Sequence, residues 1–142
     1  MFFKALVAAV IIAESGGNPN ALSPKDAKGL MQVTDIGVKE VRQQFWCMRD
    51  VKWQPYNPEV NKMFGKLLLK FYLKEAKGNV REALVLYNSG YRGLYYWRQG
   101  RPYKETAAYV ESVCKMYGRC LAALEPEIKA CQFLPVPKGG VF

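Results

Sequence analysis

The chain has no histidine. That absence removes the usual base of Ser-His and Cys-His catalytic pairs and the commonest metal-ligating side chain. The four cysteines, Cys47, Cys114, Cys120 and Cys131, form no C-x-x-C pair. A zinc site is therefore not expected, and no other metal or cofactor is either. Two readings stand for these cysteines: small buried side chains, or one or two disulfides joining Cys114 or Cys120 to Cys131 or Cys47. Acid is scarce, with 12 acidic against 21 basic residues and only three aspartates. A site built on paired carboxylates has few residues to draw on. No apolar run reaches the roughly 20 residues that a membrane-spanning helix needs. There is no internal repeat and no sustained alternation of apolar and polar residues. A small strand pair inside a loop would escape that search.

What is present is a chain of 142 residues, half of them hydrophobic, with a formal charge of +9. That size suits one domain with a real core, here read as spanning residues 1–142. The positive charge favours a polyanionic partner, of which nucleic acid, an anionic membrane and a bacterial cell wall are examples. The basic residues are scattered over helix faces, and no arginine-rich block or aromatic ladder is present. Nucleic acid is therefore not expected.

The periodicity predicts an all-α, mainly helical fold. Residues 2–14 form a first apolar helix, stopped by Gly16 and Gly17, with "NPNALSP" following as loop. "TDIGVKEVRQQF" reads as a second helix capped by Thr34 or Asp35, with Ile36, Val41 and Phe45 along one side. Asn57 and Pro58 open a third that runs to about Lys77, with Val60, Phe64, Leu67, Leu68, Phe71 and Tyr72 at helical spacing. A short helix enters through Asn79 and stops at Gly90. Another runs from about Lys104 to Tyr117. The tail adds one short helix and turns irregular from about residue 132, where prolines and glycines gather.

The first apolar run ends on an acid, Glu14. As a secretory signal it is poor, because Lys4 is a thin positive flank and an acid sits at the would-be cleavage site. No signal peptide is therefore expected, and the run is read as the first helix of the domain. An acid at a helix C-terminus opposes the helix dipole. If partly buried, its carboxyl is pushed up in pKa, which makes a general acid working near neutral pH; the plain alternative is an exposed acid at a frayed end. Two further blocks accompany it. "GLMQ" supplies Met31, a soft wall for a sugar face, and Gln32, which gives and accepts hydrogen bonds. "LYNSG" supplies Tyr87, a flat apolar face with one hydroxyl, and Asn88. Core packing is the competing role for Met31 and Tyr87.

The set "ESGGNPNALSPKDAKGLMQV", "NPEVNKMFGKLLLKFYLKEAKGNVREALVLYNSG" and "PYKETAAYV" resembles the soluble (SLT) type lytic transglycosylases, which have a lysozyme-like fold. The blocks come in that family's order over about residues 4–113. Goose-type lysozymes share the first two more loosely. The resemblance implies that Glu14 is the single catalytic acid and that Ser15, the serine after it, helps to hold the substrate. It implies that Met31 and Gln32 line the glycan cleft, that Tyr87 and Asn88 face the acid, and that Tyr109 packs behind the site or reaches towards it. Gly29, Pro102, Glu105 and Thr106 fall on mainly structural positions. The sequence departs from the pattern at Asp26, Asp35 and Ser89, and "YRGLYYWRQGRP" replaces the usual turn, which alters one rim of the cleft. Asp35 is a possible second carboxylate, the residue a goose-type hydrolase would use to position water, although a helix N-cap role is the simpler reading.

The implied substrate is the glycan strand of peptidoglycan in an anionic cell wall. The implied reaction cleaves the β-1,4 bond of N-acetylmuramic acid and leaves a 1,6-anhydromuramoyl end. Such a chain acts at the bacterial wall, in the periplasm or from outside, as a monomer, and a bacteriophage lysis or virion setting suits its size, as does a fragment of a secretion-system enzyme. The competing classes are a goose-type muramidase and a non-catalytic binder of wall or nucleic acid.

Overall fold

The computed structural model describes residues 3–132, with side chains described as far as residue 122. Five α-helices carry the fold: α1 Phe3–Ser15, α2 Asp35–Gln44, α3 Pro58–Glu75, α4 Val80–Arg98 and α5 Lys104–Gln132, with a 3₁₀ turn at Trp46–Met48. There is no strand among the described residues. The small pairing that periodicity cannot see is present in the α1–α2 loop as isolated antiparallel bridges, Leu22 with Lys28 and Lys28 with Val33. No described helix is long and apolar enough to cross a membrane.

The helices form where capping and apolar spacing coincide. Thr34 caps α2 by accepting from the Gly37 N–H. Asp35, expected as an alternative cap, is instead the first helical residue, where its charge still suits the positive end of the helix. Asn57 caps α3 through the N–H groups of Glu59 and Val60, with Pro58 in the first turn, and Asn79 caps α4 through the Glu82 N–H. Each such cap satisfies an orphan donor worth about 1 kcal/mol. The apolar stripe of α3 buries Phe64, Leu68, Leu69, Tyr72 and Leu73, while Val60, Leu67 and Phe71 are only partly covered. Phe64 is fully buried, which contributes about 2–3 kcal/mol.

Helix α1 packs on α5, α3 lies between α2 and α4, and α4 also meets α5. Leu6, Val10, Met31, Phe64, Leu69, Leu84, Val110 and Val113 form the fully buried centre.

Several expectations are corrected. Ile36 is 79% exposed, and Val38 takes its place in the core, because α2 turns its Gly37–Val38–Val41 face inward. The first helical stretch of α4 does stop at Gly90, as expected: that residue adopts φ +70, outside helical geometry and open to glycine without Cβ strain. A second helical stretch, not expected, follows the kink to Arg98. Arg98 then grips Glu82 with two hydrogen bonds of 3.0 and 2.8 Å, tying the second half back to the first. Helix α5 runs on to Gln132 rather than ending near Tyr117. The irregular tail expected from about residue 132 lies outside the described residues. Cys47 is exposed, and Cys47, Cys114 and Cys120 are free thiols. The side chain of Cys131 lies outside the described residues.

One buried polar side chain organises the loop ahead of α2. Asn61, fully buried on α3, accepts from the Met31 N–H at 2.8 Å and donates to the carbonyls of Lys28 at 2.8 Å and Pro55 at 2.9 Å. Met31 then drops into a notch that exists because residue 65 is glycine. A Cβ there would sit 2.5 Å from the Met31 sulfur. Replacing Asn61 by Leu strands the Met31 N–H and the Pro55 carbonyl, while the Lys28 carbonyl keeps the Val33 N–H; each stranded group costs roughly 1–3 kcal/mol. The melting temperature of Asn61→Leu should fall by about 10 °C, read by circular dichroism at 222 nm. A fall of only about 2 °C would mean that the loop is held elsewhere.

Candidate active site

Glu14 sits in the last turn of α1, and the neighbouring Ser15 fixes where that turn ends. The Ser15 hydroxyl has the Leu30 carbonyl at 2.7 Å and the Ile11 carbonyl at 3.1 Å as acceptors for its one proton, and it accepts from the Gly17 N–H at 3.2 Å. Ser15 was expected to meet substrate. Its proton is already engaged, so it works as a latch between α1 and the 28–33 loop.

The loop carries Gln32 at φ +50. A side chain in that left-handed region costs on the order of 1–3 kcal/mol unless its surroundings hold it. Here the Gln32 amide nitrogen donates to the carbonyls of Ala21, 3.1 Å, and Gly29, 3.0 Å. Met31, expected to wall the cleft, is fully buried. Its carbonyl reaches the site instead, accepting from the Tyr87 hydroxyl at 2.6 Å. Asn88 is held by Thr106, whose hydroxyl donates to its Oδ1 at 2.9 Å.

These pieces enclose a depression of about 400 Å³ lined by Glu14, Gln32, Tyr87 and Asn88 together with Ser23, Lys25, Thr34 and Glu105. Glu105, assigned by sequence to a structural position, thus faces the cleft. Its carboxylate lies 3.5 Å from the Lys25 ammonium, and both side chains are largely exposed. No sequence signal separated Lys25 or Ser23 from ordinary loop residues. A second hollow of about 480 Å³ shares Lys25, Asn88 and Glu105 and continues to Tyr103, which packs on Tyr96 at 5.5 Å. The departure after Gly90 therefore reaches the cleft rim through Tyr96.

Asp35 does not join this group. It is three-quarters exposed, 4.0 Å from Lys28, and faces a different hollow. Among the described residues, no group of three acids or cysteines comes together that could hold a metal ion.

The electrostatics single out Glu14. Burial pushes its carboxyl up to about 7, partly opposed by the Tyr109 hydroxyl. Tyr109 and Tyr87 are themselves pushed well up, first by burial and then by the neighbouring Glu14 charge. The Tyr109 hydroxyl is buried, makes no hydrogen bond of good geometry and has the Glu14 carboxyl as its polar neighbour. A carboxyl that is half protonated near neutrality, in a polar cleft with a hydroxyl beside it, can give a proton and take one back.

Residues 2–110 match the transglycosylase SLT domain family. The chain belongs to that family. Its fold is that of the 70 kDa soluble lytic transglycosylase of Escherichia coli, with a TM-score of 0.77 at 22% identity, covering 85% of this chain and 22% of that one. The same comparison with the 70 kDa enzyme in complex with bulgecin A gives 0.73 at 25% identity, over 84% and 22%. The lytic transglycosylase Slt of Pseudomonas aeruginosa, in an inactive glutamate-to-glutamine form, gives 0.70 at 26% identity, over 84% and 22%. The SLT domain described here thus spans about a fifth of the length of those enzymes, and its mainly helical, lysozyme-like architecture is that of the part they share.

The raised pKa of Glu14 has a sign that stability measurements can read. Between the ordinary carboxyl value and about 7, the unfolded chain loses its proton while the folded SLT domain keeps it. Stability therefore falls as pH rises through that window and levels off above it. Glu14→Gln removes the penalty, so its melting temperature should exceed that of the parent chain at pH 8 and match it at pH 4. A difference that is the same at both pH values would mean an ordinary, solvated carboxyl. Tyr109→Phe should push the Glu14 carboxyl higher still, moving the alkaline limb of kcat/KM upward in pH with little change in melting temperature. A limb left in place would mean that the hydroxyl does not reach the acid.

Proposed function

We propose that this SLT domain is a peptidoglycan lytic transglycosylase, cleaving the β-1,4 bond between N-acetylmuramic acid and N-acetylglucosamine with Glu14 as acid and then base. The observation that carries the reading is the Glu14 carboxyl raised to about 7 inside the Gln32–Tyr87–Asn88 cleft. Family membership and the inactivity of the Pseudomonas relative in a glutamate-to-glutamine form support it.

Most glycosidases use two carboxylates. Neither other candidate has the setting for that work. Asp35 is exposed and lines a different hollow, and Glu105 is exposed and paired with Lys25. One acid suffices when the substrate supplies the nucleophile. Glu14 protonates the bridging oxygen, and the C1–O4 bond breaks. The 2-acetamido oxygen of the muramic acid stabilises the cationic C1. Glu14, now a carboxylate, takes the proton from the C6 hydroxyl as its oxygen bonds to C1. The enzyme returns to its starting state, no water is consumed, and the first step leaves Glu14 in the form that the second needs. Tyr87 holds the 28–33 loop from across the cleft, while Gln32 offers its amide oxygen and Asn88 its amide nitrogen to the acetamido and ring hydroxyls. The positive charge favours an anionic wall, and a periplasmic, exterior or virion-associated setting fits that substrate.

Purified cell wall digested with this chain should release 1,6-anhydromuramoyl ends, about 18 Da lighter than hydrolysed ends, the mass of the water that hydrolysis adds. Glu14→Gln should lose at least about 100-fold in turnover. Reducing muramic ends as the main product would turn the reading to a hydrolase. If those ends also vanished in Glu105→Gln, the second carboxylate would be identified.

A further inference from the structure

A hollow of about 610 Å³ plays no part in the chemistry above. It lies against α2 and the turn that follows it, and Lys39, Arg42, Arg49 and Trp53 line it, with Asp35 as its one carboxylate. Asp35 is three-quarters exposed and leans towards Lys28 rather than towards these cations. None of Lys39, Arg42 and Arg49 has an acidic partner within ion-pair distance among the described residues.

Arg42 is the telling member. Its guanidinium is half-buried, lies 5.8 Å above the Phe64 ring and donates from one terminal nitrogen to the Val51 carbonyl at 3.0 Å. Its Nε is fully buried with no acceptor at all. Withdrawing a guanidinium from water without a counter-anion is costly, and a buried donor without an acceptor adds to that cost. Phe64 and Trp53 hold the group in place from the core side, their rings edge to face at 4.9 Å. The result is a fixed, uncompensated positive charge in a concavity beside an indole. A guanidinium fork is best matched by a planar carboxylate, and the indole offers the carrier of that carboxylate an apolar wall.

The hollow also lies next to the cleft along the chain. Thr34 lines the cleft and Asp35, the following residue, lines the hollow. An extended peptide covers about 3.3–3.6 Å per residue, so a branch of three or four residues reaches roughly 10–14 Å. The muramic acid of peptidoglycan carries such a branch, with free carboxylates along it.

We propose that the Lys39–Arg42–Arg49–Trp53 hollow binds a carboxylate of the peptide stem attached to the glycan strand, and so selects stem-bearing substrate. This rests on the reading of the cleft as a peptidoglycan site. A phosphate-bearing wall polymer would present similar charge, and the test separates the two.

The experiment is isothermal titration of the full chain, carrying Glu14→Gln to block turnover. The probes are a free stem tetrapeptide, the same peptide with every carboxylate amidated, and inorganic phosphate. The free peptide should bind with a Kd on the order of 1 mM. The amidated peptide should bind about tenfold more weakly or worse, the loss expected for one charge-assisted hydrogen bond. Arg49→Gln combined with Lys39→Gln should weaken the free peptide by a similar factor while leaving the melting temperature in place. Arg42→Lys keeps the charge, loses the fork, and should weaken it too. Equal binding of free and amidated peptide would overturn the proposal. So would peptide binding untouched by these substitutions, or phosphate binding more tightly than the peptide. Stem binding by a chain whose parent cleaves no wall would leave the hollow supported and sink the reading of the cleft. Wall cleavage without stem binding would do the reverse.

Discussion

The three hydrogen bonds of the Asn61 side chain hold the structure's working parts in register. They fasten the 28–33 loop to α3 and bring the Pro55 carbonyl to the same point. The loop, once fixed, presents the Leu30 carbonyl to Ser15 at the end of α1 and the Met31 carbonyl to Tyr87 on α4. Three helices thus meet on one short stretch of backbone, and Glu14 sits where they meet. Because the acceptors are carbonyls with fixed directions rather than mobile side chains, the acid and the ring opposite it are positioned by main chain. A site on a loop is usually less precise than one on helices. Here the loop is as constrained as the helices it joins.

Positioning and electrostatics pull against stability. The α1 helix is apolar on nearly every side, and ending it on a carboxylate inside the cleft forces the group to stay protonated or to lose solvation. The dipole of α1 adds to that cost. The left-handed Gln32 and the buried Tyr109 hydroxyl, with no hydrogen bond of good geometry, are further local costs in the same few ångströms. Such features gather at working sites because the surrounding packing can sustain them. The core around Phe64, Leu69 and Leu84 supplies that support.

Much of this was legible in the sequence because it obeys short-range rules. Asn57, Pro58 and Asn79 announce helix starts, and a lone acid closing an apolar helix announces a perturbed carboxyl. The three blocks around Glu14, Gln32 and Tyr87 announce the cleft. What was not legible depends on distant contacts. Met31 and Ser15 have the right chemistry to meet a sugar, but whether they do is decided by Gly65 and by the Leu30 carbonyl, many residues away or on another element. Glu105 and Lys25 are ordinary charged residues until folding brings them 80 positions of chain together. Gly90 reads as a stop and breaks the helix; the second helical stretch beyond it, tied back by Arg98 to Glu82, rests on a contact between residues 16 apart. Ile36 fitted the apolar spacing of a helix whose actual inward face is one set by Gly37.

The central claim is that a single carboxyl, Glu14, is held near neutral pKa by burial at the junction of α1, α4 and the 28–33 loop. The most direct measurement is a carbon-detected NMR titration of the glutamate side-chain carboxyls in the full chain. The account predicts that the Glu14 resonance titrates with a midpoint of about 7, apart from the exposed glutamates. A Glu14 midpoint in the ordinary carboxylate range, near 4.3, would contradict it, because the acid would then be fully ionised at the pH where it must give up a proton.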